Sequence, residues 1–316
     1  MEQPKGFFFP ATTIPLMESH APSWLRKSIL LVVVILPLVA TLYAIYLLWN
    51  RYVNALDLAL LGVMYVLTAT GIGIGYHRML THRGFDAPAP VRFVFLALGS
   101  MAVQGPAIEW AATHVRHHAK ADQEGDPHSP LEGFWHAHLG WLFREGIVES
   151  DVFAKPFWAD RVTVFIHRTF FLWVALGFLI PAGIGYAFAG MRGFWGGLLW
   201  GGFVRVFLVH HVTWSVNSIC HSFGKRPWAT RDQSRNEWIV GLLALGEGWH
   251  NNHHAFPKSA IHGFRWWQFD FNAYLILALE KLRLVRNVEK PRLEELARRY
   301  GTSTPAEASP SRRQSS

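Results

Sequence analysis

Four apolar stretches, roughly residues 28–49, 57–76, 165–189 and 193–216, are each long enough to cross a bilayer, which takes about 20 residues. The link between the first two is short, around Asn50 to Asp57, and that between the last two is shorter, around Gly190 to Gly193. They read as two helical hairpins. Only 16% of the 316 residues are charged and 51% are hydrophobic, whereas a soluble domain carries about a quarter charged residues. The first stretch exceeds a signal-peptide core and lacks a small-x-small cleavage site, so it reads as an anchor that stays.

Charge sets the orientation. Of the 30 Lys and Arg, Arg51 and Arg192 fall in the tight links, and Arg168 and Arg205 fall within the third and fourth stretches. All the others, beginning with Lys5, Arg26 and Lys27, lie on the opposite side, which the positive-inside rule makes cytoplasmic. Both termini are then expected in the cytoplasm. The formal net charge of +8 is thereby a topology signal and calls for no nucleic-acid partner.

That same side receives the chain's histidine groups: His77 and His82, His114-x2-His117-His118, His221, and His250-x2-His253-His254. Imidazole is the commonest protein metal ligand near neutral pH. On a helix, positions i, i+3 and i+4 share a face, so each HxxHH triplet is expected to aim its rings at a single metal. The five-residue spacing of His77 and His82 leaves their rings about 140° apart on an α-helix. It suits an unwinding helix end or a seam between two metals. Nine imidazoles exceed what one metal accepts, and two first-row ions fit, with iron, zinc and copper all open on ligand softness. The single cysteine, Cys220, excludes a disulfide framework and a cysteine-based cluster, and reads as a packed thiol.

Two further apolar segments, 91–113 with Gln104, Gly105, Pro106 and Glu109, and 131–144 with Trp135, His136, His138 and Trp141, read as interfacial or re-entrant rather than spanning. Residues from about Arg265 to Tyr300 read as helix, and those beyond Gly301 as a disordered Ser/Pro/Ala/Arg-rich tail. This gives a cytoplasmic segment 1–27, a membrane domain 28–300 and a tail 301–316.

The strings GYHRMLTHRGF (Gly75–Phe85), EWAATHVRHHAKADQEGDPH (Glu109–His128), TWSVNSICHSFG (Thr213–Gly224), GEGWHNNHHAFP (Gly246–Pro257) and RWWQFD (Arg265–Asp270) resemble the integral-membrane fatty acyl desaturases of the stearoyl-CoA (Δ9) type. The likeness covers about residues 30–290. One HxxHH would be weak, being shared with membrane hydroxylases and ketolases, but five blocks in order are specific. The resemblance implies an all-α membrane fold of four transmembrane helices in two hairpins, capped by a cytoplasmic helical layer holding a di-iron site. Its metal ligands would be His77, His82, His114, His117, His118, His221, His250, His253 and His254, with Asn217 acting through a water. O2 is the implied co-substrate, and a long-chain acyl-CoA or acyl-lipid the substrate. Two electrons would come from a separate ferredoxin-, rubredoxin- or cytochrome b5-like donor. Gln104, Trp110 and Thr213 match residues shaping a kinked acyl tunnel, and Tyr65 and Ala69 match its closed end.

The sequence departs from the acyl-CoA enzymes where an Arg-Asp pair would hold the CoA moiety, reading Ala112 and Thr113, and again at Glu145. Loss of those charges leaves a lipid-linked acyl chain open as substrate; Arg116, Lys120, Arg144 and Lys155 are the alternative contacts. Glu109, Asp126 and Glu247, beside the histidine groups, read as carboxylates that orient imidazoles. Arg205 within an apolar stretch needs a partner or a cavity. The rival readings are a related histidine-box hydroxylase or ketolase and, from another class, a membrane metal carrier, although carriers place ligands within the spans.

Overall fold

The computed structural model describes residues 23–50, 52–144 and 151–291. Lys5 and most of the N-terminal segment, Glu145 and the 301–316 tail lie outside the described residues. Among those described, the fold is helical, with three isolated β-bridges and no strand. Helix α1 spans Ser23–Trp49, and α2 spans Ala55–Thr70 and continues without a break as a π-helix, Gly71–Thr81. Then come α3 (Ala89–Met101), α4 (Ala107–Lys120), the short α5 (Phe134–His138) and α6 (Arg161–Arg168). Helix α7 (Phe170–Gly196) runs through a second π-helix, Gly197–Val204, into α8 (Arg205–Ser222). Three short helices close the chain: α9 (Trp238–Leu243), α10 (His250–Ala255) and α11 (Phe271–Lys281).

Three of these runs are long and apolar enough to cross a membrane: Trp24–Trp49, Ala55–Thr81 and Phe170–Ser222. The last is twice the needed length because it folds back on itself. Helical dihedrals fail at Ala189 and at Gly190, whose φ of 57° and ψ of −147° suit glycine. After the turn the limbs run antiparallel. Gly185 and Gly193 meet backbone to backbone, leaving no room for a Cβ on either, and Arg205 reaches back to Gly177 O at 2.7 Å. The third apolar segment thus begins at Phe170 rather than at residue 165, since α6 ends at Arg168 before the break at Thr169. The first two apolar segments are joined by a short link but do not pack chiefly on each other. Helix α1 packs through Ala44 on Trp200 and Val204 of the fourth limb, while Leu31, Val32, Ile35 and Leu42 face outward.

The two tight links lie together at one end. Asn54 and Asp57 form a reciprocal capping box at the start of α2 (3.0 and 3.1 Å), and Asp57 Oδ2 also accepts from Arg192 Nη2 at 3.0 Å. Arg205, fully buried, is solvated by carbonyls: Gly201, Gly177 and Met101 accept from it. Met101 is the last residue of α3, where helix carbonyls lack intrahelical partners. At the other end, α3 lies against the π-helix so closely that a Cβ on Gly75 would stand 2.5 Å from Phe95 O.

The C-terminal helix is shorter than expected. It stops after Lys281 and the chain turns at Arg283 (φ 60°). Arg286 then exchanges backbone hydrogen bonds with Asp86 at 2.8 and 2.9 Å. That pairing ties residues after α11 to the segment following His82, and so closes the cap over the histidine groups.

Candidate metal centre

All four histidine groups converge. Ligand atoms of His77, His82, His114, His118 and His253 lie within 4.8 Å of one another, and so do those of His117, His221, His250 and His254. The expectation that each HxxHH triplet serves one metal is corrected by this partition. On α4, His114 and His118 join the first cluster and His117 the second; on α10, His250 and His254 join the second and His253 the first. Residues i and i+4 share a face, whereas neighbours such as His117 and His118 diverge by about 100°. Each helix therefore lies along the seam between two clusters and feeds both.

The His77/His82 spacing is accommodated by the π winding. There the backbone hydrogen bonds close on the fifth residue, as in His82 N–H to His77 O at 3.1 Å. Residues i and i+5 then come to one side, and the two rings stand with centroids 4.8 Å apart. Neither unwinding nor a divided pair is needed.

The donor set fits cations. Nε2 atoms approach one another at 3.0 Å (His77–His253 and His114–His118) and 2.9 Å (His118–His253) in the first cluster. In the second the separations are 3.0 Å (His221–His250 and His250–His254) and 3.4 Å (His117–His254). Two nitrogens bound about 2.1 Å from a shared ion lie about 3.0 Å apart when at right angles and about 3.4 Å apart when tetrahedral. Hydrogen bonding between neutral rings does not account for the approach of His117 to His254. His117 and His254 each present Nδ1 to a carboxylate, Asp126 at 2.9 Å and Asp232 at 3.0 Å. With Nδ1–H donating there, both facing Nε2 atoms carry lone pairs. His82 Nε2 is buried with no hydrogen-bond partner.

Burial first, and the neighbouring imidazoles second, hold His82, His114, His118, His250, His253 and His254 well below the ordinary histidine range. Neutral imidazole is the ligating form. Behind the rings stand four carboxylates: Glu247 on His77 Nδ1 (2.5 Å), Asp126 on His117, Asp122 on His221 Nδ1 (2.9 Å) and Asp232 on His254. Such partners fix the tautomer and orientation of a ligand. Burial works against ionised Glu247, but Arg78, His262 and His77 outweigh it and hold the carboxyl well below its usual range. Of the carboxylates expected from sequence, Asp126 and Glu247 thus face imidazoles, and Glu109 lies half-buried in the first turn of α4. Asp122 and Asp232 escaped sequence reasoning because only the folded loops bring them to His221 and His254.

Arg78 and His262 also went unread. Arg78, fully buried, donates to Glu247 Oε1 (2.8 Å), to Asp270 Oδ1 (2.9 Å) and to Ala260 O (2.8 Å). Asp270 in turn accepts from the backbone of His262, Gly263 and Ala273, so the RWWQFD string is a clamp on the first histidine group. The His262 ring lies 4.6 Å from that of His253, and burial and the Arg78 charge push it down to about 4. A lone histidine with no spaced companion gives no sequence signal.

A mostly apolar cavity reaches both clusters. Its walls include His77, His114 and His250, then Asn217, Trp110 and Thr213, and farther along α2 Ala69 and Tyr65. Gln104 stands behind this wall, donating to Thr213 Oγ1 at 2.9 Å and accepting from Trp110 Nε1 at 3.4 Å. Tyr65 closes against α9 through its hydroxyl, which donates to Leu243 O at 2.7 Å. At the positions that depart from the acyl-CoA enzymes, Ala112 is fully buried against Ala154 and Phe157. The Thr113 hydroxyl donates to Glu109 O within α4.

Residues 54–285 match the family model described as fatty acid desaturase. The chain is 40% identical over 273 residues to a hex-5-enoyl-(acyl-carrier protein) acetylenase of Moorena producens, covering 81% of this chain and 84% of that protein. It is 40% identical over 238 residues to an sn-1 stearoyl-lipid 9-desaturase of Anabaena variabilis, covering 74% and 84%. With an acyl-CoA C20 Delta5-desaturase of Anemone leveillei it shares 41% over 230 residues, covering 70% of each.

Proposed function

The chain belongs to the fatty acid desaturase family and is an oxidoreductase of that kind, a fatty acyl desaturase, and from this premise we propose that it introduces a cis double bond at the Δ9 position of a long acyl chain. The observation that carries the reading is one continuous cavity walled by imidazoles of both clusters and by Tyr65 and Ala69. An acyl chain threaded past Thr213 and Trp110 would present its middle carbons to the ligand sets and its methyl end to Tyr65.

The metals in this reading are two irons. His77, His82, His114, His118 and His253 would hold one, and His117, His221, His250 and His254 the other, with Asn217 retaining a water. Bound iron supplies the activation of O2 needed to remove two hydrogens from an unactivated chain. The chain's own part is positioning and exclusion. The carboxylates hold the rings, burial keeps them neutral, and the Gln104–Thr213–Trp110 set would fix the cavity wall against which the acyl chain bends. Placing reactants in attack geometry is a large share of what a protein contributes when a cofactor does the chemistry.

The protein is a membrane protein, and we place its described apolar helices as four crossings: α1, α2, and the two limbs joined at Gly190. The Asp57–Arg192 end then faces away from the cytoplasm, and the histidine clusters and both termini face it. Buried Ala112 and helix-bonded Thr113 favour a lipid-linked acyl chain over a CoA ester, because a polyanionic head group calls for Arg or Lys clusters.

The test is twofold. Cells expressing the protein should accumulate monounsaturated chains with the bond at carbon 9, read by mass spectrometry of derivatised lipids. Purified enzyme with a competent donor should turn over stearoyl-phospholipid with little dependence on a CoA head group. New double bonds at another carbon would overturn the Δ9 reading. Saturable use of stearoyl-CoA with no turnover of the lipid would overturn the carrier reading.

A further inference from the structure

Desaturation consumes two electrons from outside the acyl chain, and a basic hairpin lies against the second cluster. Residues Lys225 to Asn236 form a hairpin closed by reciprocal backbone hydrogen bonds of 2.9 and 2.7 Å. Lys225, Arg226 and Arg231 are exposed on it, Arg235 is half-buried, and its one acidic residue, Asp232, is turned inward and buried. Outwardly the hairpin is therefore strongly basic.

Inwardly it touches the second cluster twice. Asp232 Oδ2 accepts from His254 Nδ1 at 3.0 Å. Gln233 N–H donates to Asp122 Oδ2 at 2.5 Å, and the same oxygen accepts from His221 Nδ1 at 2.9 Å. Arg226 donates to Asp232 O at 2.5 Å and to Gln233 Oε1 at 3.2 Å, bracing both contacts from the solvent side. A basic surface is thus one residue away from two imidazoles of the four-histidine cluster. The single cysteine of the chain is buried, its Sγ 3.8 Å from Gly248 O, and offers no exposed thiol relay.

We propose that this hairpin is the docking and electron-entry surface for a small acidic one-electron carrier protein; the inference rests on the desaturase reading with its two irons. Per turnover, two molecules of the reduced carrier are each oxidised by one electron. O2 takes up those two electrons, two protons and the two hydrogens of the acyl chain, giving two waters and the C=C bond. Charge complementarity at such a surface chiefly sets the association rate and its salt dependence.

The experiment compares the full-length enzyme in phospholipid nanodiscs with its Lys225→Glu/Arg231→Glu variant, leaving Arg226 in place. Each is supplied with a reduced acidic [2Fe–2S] ferredoxin or with reduced methyl viologen, which needs no docking. Ferredoxin binding, iron content and ferredoxin oxidation kinetics are read beside product formation. The expected result is about a tenfold loss of apparent ferredoxin association rate at low ionic strength, with a flattened salt dependence. Iron content and viologen-driven turnover should be unchanged. Unchanged ferredoxin kinetics in the variant would overturn the proposal, including the case in which only binding to anionic vesicles falls and the patch serves lipid head groups. Equal loss with ferredoxin and viologen would also overturn it, as a structural effect. If the unmodified protein desaturates with neither reductant, the desaturase reading itself fails and takes this inference with it.

Discussion

His77 and His82 reach one cluster because the backbone between them is π-wound: the amide of His82 donates to the carbonyl of His77 at 3.1 Å. An α-helix would point the two rings about 140° apart. The winding places His82 with His114, His118 and His253 and leaves the four-histidine cluster untouched. His82→Ala should therefore weaken one ion selectively, since the first cluster falls from five imidazoles to four while the second is unchanged. Metal analysis of protein reconstituted with ferrous iron checks this, and loss of both ions together would contradict the division.

Asp232→Ala should weaken the other ion. Removing an outer partner of a ligating histidine typically costs about 10–100-fold in metal affinity, and Asp232 holds His254. Iron retention against a graded chelator should show that loss while the membrane-inserted protein remains folded.

Acid should destabilise the metal-free protein before it affects carboxylates. In the unfolded chain the histidines protonate near about 6.5, whereas folding holds His82, His114, His118, His250, His253 and His254 well below that. Between those values the unfolded state binds more protons, so stability rises with pH. Glu247 and Asp232, held low in the folded state, act in the same direction at more acidic pH. The unfolding temperature of the metal-free protein in detergent should fall as the buffer moves from about pH 7.5 to about 5.5. A flat or rising profile would contradict it.

Breaking the Arg78 clamp should unfold the cap. Asp270→Ala leaves a fully buried guanidinium with only part of its compensation, and removing one partner of a buried ion pair costs about 3–5 kcal/mol. The variant should melt well below the parent, with loss of metal following rather than preceding unfolding.

Ala69→Trp should shift chain-length preference. Ala69 and Tyr65 lie one turn apart on α2 along the cavity wall, and a larger ring at 69 fills space the methyl end would take. Product profiles from mixed saturated chains should move to shorter acyl groups. Retained activity with unchanged selectivity would remove Ala69 from the cavity end.

The sequence by itself determined the nine imidazoles, the apolar stretches and the expectation that the four histidine groups lie on one side, where they could converge. Imidazole clusters, apolar length and the distribution of basic residues are local properties that survive without knowledge of packing. Asp126 and Glu247 were legible because they stand in the same sequence blocks as histidine groups, Asp126 with His117 and Glu247 with His250. Only the tertiary structure decided how the imidazoles divide. The split of His117 from His118, and of His253 from His254, depends on α4 and α10 lying on the seam between clusters, and helix placement is set by side-chain packing far away in sequence. The π winding that unites His77 with His82, the carboxylates Asp122 and Asp232, the Arg78–Asp270 clamp and the carbonyl nest of Arg205 are decided likewise. Apart from the π winding, which is local to one helical run, each is a contact between segments whose meeting is fixed by burying surface and satisfying buried polar groups together, a condition on the whole fold that no local spacing encodes.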